Sequence, residues 1–164
     1  MAVKVEIRKA RLSDAETIAN FVNSARPARL LTQLDVAERF SQVGFLLAEQ
    51  EKNAVGLMGW RVENLVICMT DFLIAPSVDR VTMGHALVTA MEKEGEFLQA
   101  EAAILFLPTN PSPALIEYWQ GFGYTRKPLT ELPKAWREAS MEWNATATEV
   151  MVRQIREELV RRPM

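Results

Sequence analysis

Leu65-Val66-Ile67-Cys68-Met69-Thr70-Asp71-Phe72-Leu73-Ile74-Ala75-Pro76 is the stretch on which the fold turns. The run Leu65 to Ala75 is long and mostly apolar, and reads as a central strand. Asn64 breaks the chain before it and Pro76, which cannot donate to a ladder, closes it. Beyond it, Gly84 to Phe97 places Leu87, Val88, Met91 and Phe97 at helical spacing, a helix leaning on that strand's sheet. Ala103 to Leu107 is then a short apolar strand. Pro113 to Gln120 is a helix stopped by Gly121 and Gly123, and Tyr124-Thr125-Arg126 starts another strand.

Working back toward the N-terminus, Val3, Val5 and Ile7 alternate with charged residues as in a half-buried strand. Ser13-Asp14-Ala15-Glu16 has the pattern of a capping box, with Ser13 as cap and Glu16 three residues on, and Pro27 ends the helix that follows. A weaker helix is expected over Leu34 to Phe40. Strands follow at Gly44 to Glu49 and Ala54 to Glu63, joined by a turn at Glu51-Lys52-Asn53. Leu132 to Trp143 reads as a surface helix. Thr148 to Ile155 reads as a last strand that passes into a short helix through Leu159. The order strand, helices, strands, then helix, strand, helix, strand predicts an α/β (α+β layered) domain over residues 1–164. Its sheet is twisted, mixed and mostly antiparallel, with six to seven strands flanked by helices.

Composition narrows the function. The net charge is −2, with 24% charged and 49% hydrophobic residues, so no basic footprint for nucleic acid is present. Arg153, Arg156, Arg161 and Arg162 form the one local basic excess, and Glu149, Glu157 and Glu158 offset it. One cysteine, Cys68, and one histidine, His85, exclude an internal disulfide and the usual zinc sets, and no metal is expected. No apolar run reaches the ~18–20 residues of a membrane span, and a cytoplasmic protein is expected.

Three stretches, in this order, are similar to the GCN5-related N-acetyltransferase (GNAT) family: Ile7 to Ala15, Thr70 to Pro76 with Gly84-His85-Ala86-Leu87, and Asn110 to Tyr124. The resemblance covers roughly residues 5 to 126. It implies that acetyl-CoA is the acyl donor and that a primary amine, of a small molecule or a peptide, is the acceptor. A homodimer is the default expectation. The family's pyrophosphate loop maps onto Val81-Thr82-Met83-Gly84-His85-Ala86, where backbone N–H groups at a helix start would cradle phosphate. Gly84 and Ala86 match its small positions, and Val81 departs from its basic or amide one. Phe72, Leu73 and Ile74 would lend main chain to the pantetheine arm, with one N–H on the acyl carbonyl. Asn110 and Trp119 complete the implied cofactor contacts.

Two proton steps need carriers in such a transfer. Asp71 is the candidate base or amine anchor, because the resemblance implies a carboxylate at this point of the strand. The resemblance puts the leaving thiolate's tyrosine at position 119, where this chain has Trp119, and Tyr118 one residue earlier is the candidate acid. Water, or no acid at all, is the other reading. The alternative function is a domain of the same fold that acts as an acyl-CoA sensor or interaction module.

Overall fold

In the computed structural model, residues 4–26 and 30–156 are described. Along the chain come β1 (Val5–Lys9), α1 (Ala15–Ala25), α2 (Gln33–Arg39), β2 (Gly44–Gln50), β3 (Asn53–Glu63), β4 (Val66–Ile74) and α3 (Arg80–Phe97). There follow β5 (Ala102–Phe106), α4 (Pro113–Gln120), β6 (Thr125–Pro128), α5 (Lys134–Trp143) and β7 (Glu149–Gln154). The strands make one seven-stranded sheet in the order β1-β2-β3-β4-β5-β7-β6. β4 and β5 run parallel, as the intervening helix α3 requires, whereas β1 with β2, β2 with β3, β5 with β7 and β6 with β7 are antiparallel. The expected mixed α/β layering is therefore present. The described residues fall into two compact units, 4–61 with 70–91 and 62–69 with 92–156.

In the first unit β1 pairs with β2 from Val5↔Gln50 to Lys9↔Leu46. Glu51 and Lys52 both take positive φ, 51° and 69°, and close the β2–β3 hairpin as a two-residue turn. The start of α1 differs from the sequence expectation. Ser13 does not cap it; a 3-10 turn, Leu12–Asp14, precedes α1, and Asp14 stands at the N-cap. The Asp14 carboxylate accepts from the Arg11 N–H at 2.7 Å and from both terminal nitrogens of Arg8 at 2.8 Å. Arg8, held from β1, fixes the Asp14 carboxylate with a charge-assisted fork, which places Asp14 rather than Ser13 at the helix start. Helix α2 carries a true capping box: Thr32 Oγ1 accepts from the Asp35 N–H, and the Asp35 carboxylate accepts from the Thr32 N–H. Leu47, Met58, Leu87 and Met91 are fully buried, which fixes α3 on β2 and β3.

The second unit is built on β5. Its register runs Val66↔Ala102 to Cys68↔Ile104 with β4 and Ala102↔Gln154 to Phe106↔Val150 with β7. Helix α5 is not only a surface helix: Trp136, Ala139 and Ser140 are buried, and Trp136 joins a core with Cys68, Ile104, Leu132 and Val150. The Trp136 indole N–H donates to the buried Glu101 carboxylate at 2.9 Å. Cys68 is a small buried hydrophobe, as its mid-strand position suggested. β7 ends at Gln154, and Ile155 and Arg156 are non-helical; the remainder of the expected terminal helix lies outside the described residues.

Candidate active site

The end of β4 lines two hollows, both within the first unit. The larger, about 830 Å³, lies among Asn20 and Phe21 of α1, Lys52 and Asn53 at the β2–β3 turn, and Leu73 through Pro76. The smaller, about 380 Å³, is walled by Val22, Leu57 and Phe72, with Arg26, Arg39 and Asp71 as its charged groups. Leu73 lines both, so the two meet at one residue of β4. Both volumes are in the range of small-molecule sites.

Asp71 stands in the smaller cavity on an ordered support. Arg39, at the C-terminus of α2, donates through Nε at 3.1 Å and Nη2 at 3.0 Å to the same oxygen, Oδ2. Thr70 Oγ1 donates to that oxygen as well, at 2.9 Å. The pair is partly open, with side chains 37% and 32% exposed. Gly59 on β3 permits the arrangement: a Cβ there would lie 2.5 Å from Asp71 Oδ2 and closer still to Thr70 Oγ1. Arg39 was not singled out from the sequence. Its one signal is a position three residues after the buried Val36, which turns both toward the same side of α2.

The segment Val81–Ala86 differs from expectation. Helix α3 begins at Arg80, not Gly84, so the expected phosphate loop is already helix. Asp79 provides the reason. Its carboxylate accepts from the Thr82 N–H at 2.8 Å and the Thr82 hydroxyl at 2.6 Å, and its carbonyl accepts from the Met83 N–H at 2.9 Å. That is an N-cap, and it nucleates the helix four residues early. The Thr82 bonds hold the Asp79 carboxyl below the ordinary carboxylate range. Met83 and Gly84 are buried, Ala86 is half-buried, and Val81, Thr82 and His85 are exposed. A third hollow of about 310 Å³ lies at this helix start, lined by Ser77, Val78, Asp79, Thr82 and Met83 among others.

The remaining candidates lie in the second unit. Trp119 is 3% exposed and packs edge-on against Phe122 and Tyr124, so its indole belongs to the core. Tyr118 is half-buried, its ring 4.8 Å from that of Phe122 in an edge-on contact. Tyr124, the chain's other tyrosine, donates its hydroxyl to Glu92 at 2.9 Å. Burial foremost, then the Glu92 charge, pushes that phenol far above its usual range. Asn110 is exposed and takes φ 54°, a left-handed conformation that asparagine tolerates. Gly123, φ 92°, ends the α4 turn, where a side chain would be strained. Among the described residues no His, Cys, Asp or Glu cluster could hold a metal, and no helix is long and apolar enough to cross a membrane.

An acyl-CoA fits this framework unevenly. β4 from Phe72 to Ile74 presents extended backbone along the hollows, as a pantetheine arm needs. The α3 N-terminus suits pyrophosphate less well, because the Asp79 carboxylate takes one donor and brings like charge.

No protein-family model and no curated protein matches the chain. Solved structures do. A GNAT-family acetyltransferase from Staphylococcus aureus Mu50 superposes with a TM-score of 0.71 at 13% identity, over 93% of this chain and 100% of that one. N-acetylglutamate synthase from Neisseria gonorrhoeae, solved with coenzyme A and N-acetyl-glutamate, gives 0.69 at 16% identity over 96% of this chain. This chain spans only 36% of that synthase's length. YncA from Salmonella typhimurium, solved with its cofactor acetyl-CoA, gives 0.66 at 14% identity over 95% of this chain and 96% of that one. With the strand order and the parallel β4–β5 pair described above, these likenesses show that the chain has the α/β fold of the GCN5-related N-acetyltransferases.

Proposed function

We propose that the protein is an N-acetyltransferase that moves an acetyl group from acetyl-CoA to a primary amine in a ternary complex. One observation carries this reading: a large hollow along the end of β4 and a smaller one holding Asp71 meet at Leu73. That is the arrangement a donor arm and an acceptor amine require if they are to touch. The crystallised presence of acetyl-CoA in YncA, and of coenzyme A in the synthase, supports the choice of donor.

When bound, acetyl-CoA supplies a thioester whose acyl carbon accepts the amine. Across the reaction a C–N bond forms and the C–S bond breaks. The ammonium gives up two protons, one of which ends on the thiol and one in solvent. Asp71 is assigned as anchor of the incoming ammonium. Three donors already converge on its Oδ2, so Oδ1 is the oxygen left to face a ligand. Phe72, Leu73 and Ile74 are assigned to the pantetheine arm through main chain. Of the segment Val81, Thr82, Met83, Gly84, His85 and Ala86, Val81 is assigned to phosphate through its first-turn N–H and Thr82 and His85 through their exposed side chains, whereas the Met83 N–H is bonded to the Asp79 carbonyl and Gly84 and Ala86 lie further inside the helix, serving as small residues. Asn110 is assigned to the cofactor on the resemblance alone, and the buried Trp119 acts only by supporting α4.

Tyr118 is assigned as proton donor to the thiolate. The chain has two phenols, and Tyr124 is committed to Glu92 and held far from any acidic role. The test is thiol release from acetyl-CoA across a panel of amines, amino acids and peptides, with the product's added acetyl mass read by spectrometry. Turnover of one acceptor class, reduced at least tenfold by Asp71→Asn with acetyl-CoA affinity kept, is expected. Acetyl-CoA binding with no turnover of any class would favour the sensor instead.

A further inference from the structure

We infer that the acceptor carries a carboxylate beside its amine, and is an amino acid with an apolar side chain. This rests on the acetyltransfer reading and adds the substrate class to it. Among the described residues, the smaller cavity holds two guanidinium groups, Arg26 and Arg39, against one carboxylate, Asp71, an excess of one positive charge. A ligand that offers only an ammonium enters a cavity of its own sign and competes with Arg39 for Asp71. A ligand with one ammonium and one carboxylate has no net charge and satisfies both signs of the wall.

The bonding of Arg39 points the same way. Nε and Nη2 both spend their bonds on the single oxygen Oδ2 rather than forming a two-on-two fork. A guanidinium has five N–H groups, so Arg39 keeps capacity for a second anion beside Asp71. Arg26, exposed at the end of α1, supplies a further cationic group on the same wall. An ammonium on Asp71 Oδ1 would then lie beside a carboxylate on the guanidinium groups, as the adjacent amine and carboxylate of an α-amino acid allow. Val22, Leu57 and Phe72 make the rest of the wall apolar, and about 380 Å³ accommodates a side chain of leucine to phenylalanine size.

The experiment compares thiol release from acetyl-CoA for L-leucine, L-methionine and L-phenylalanine with their carboxylate-free counterparts, 3-methylbutylamine, 3-(methylthio)propylamine and phenethylamine. A charge-assisted contact to the carboxylate should give the amino acids a kcat/KM higher by roughly ten- to a hundredfold. Arg26→Met should raise KM for the amino acids about tenfold while the melting shift produced by acetyl-CoA persists. Equal or better turnover of the carboxylate-free amines overturns the inference and leaves the acetyltransferase standing. Loss of turnover with both sets, while acetyl-CoA still raises the melting point, overturns it too. Absence of any acetyl-CoA shift removes the underlying reading, and this one with it.

Discussion

Gly59→Ala probes the Asp71 support without touching any polar group. The new Cβ would lie 2.5 Å from Asp71 Oδ2 and nearer to Thr70 Oγ1, well inside contact distance. Neither neighbour is a long flexible side chain whose tip can move aside. Either the carboxylate rotates off Arg39 or β3 and β4 separate locally. Overpacking of this kind costs ~1–3 kcal/mol. The partly exposed Arg39–Asp71 pair adds at most ~1 kcal/mol to that. At roughly 2–4 °C per kcal/mol for a chain of this size, the melting midpoint should fall by about 2–16 °C. An anchor displaced by about 1 Å should also lower kcat/KM by at least tenfold for whichever acceptor is turned over. Gly121→Ala is the milder control, because φ there is −60° and its nearest contact is the Tyr118 carbonyl at 3.3 Å; its midpoint should fall less than that of Gly59→Ala. A Gly59→Ala protein with unchanged melting point and unchanged kcat/KM would refute the placement of Asp71 against Gly59 and its role as anchor.

Three further outcomes are expected. Arg8 bonds pull the Asp14 carboxyl down to about 2 from an ordinary 3.8, so its stabilising effect is complete above about pH 4 and lost as pH falls through about 2. Asp14→Asn should therefore lower stability at neutral pH by ~1 kcal/mol, after allowance for the half-exposed Arg8, and remove that part of the acid limb in pH-dependent denaturation. Asp79→Ser keeps a hydroxyl N-cap on α3 and deletes a negative charge from the helix start, so acetyl-CoA affinity by calorimetry should tighten roughly two- to fivefold. Tyr118→Phe should lower kcat with little change in KM and alter the alkaline side of the pH–rate profile; an unaltered kcat and profile would remove Tyr118 as acid.

Much of the fold was legible because it is written in local periodicity and turn chemistry. The alternation at β1, the long, mostly apolar β4 and the α4 boundaries from Pro113 to Gln120 all read off the chain. The start of α3 was not legible, since Gly84 invites a loop while the cap that decides matters, Asp79 on Thr82, lies five residues earlier. At α1, Ser13 has the right local pattern, but Arg8 from β1 fixes the Asp14 carboxylate, and Asp14 stands at the helix start. Asp71 was singled out through the family resemblance of its strand, whereas its partner Arg39 is thirty-two residues away and no spacing rule connects them. Trp119 occupied a cofactor position by register, yet aromatic neighbours three and five residues on draw it into the core. Local rules reach capping and periodicity, and tertiary competition decides which side chain wins each polar group.

The most direct test of the central claim is the melting midpoint of the full chain with and without acetyl-CoA at a hundredfold excess over its Kd, or at millimolar concentration where Kd is unknown. A ligand that prefers the native state stabilises by ~2.7 kcal/mol at that excess, which for this size predicts a rise of about 5–10 °C. A rise of that order with acetyl-CoA supports the donor site on β4; an unchanged midpoint at millimolar acetyl-CoA contradicts it.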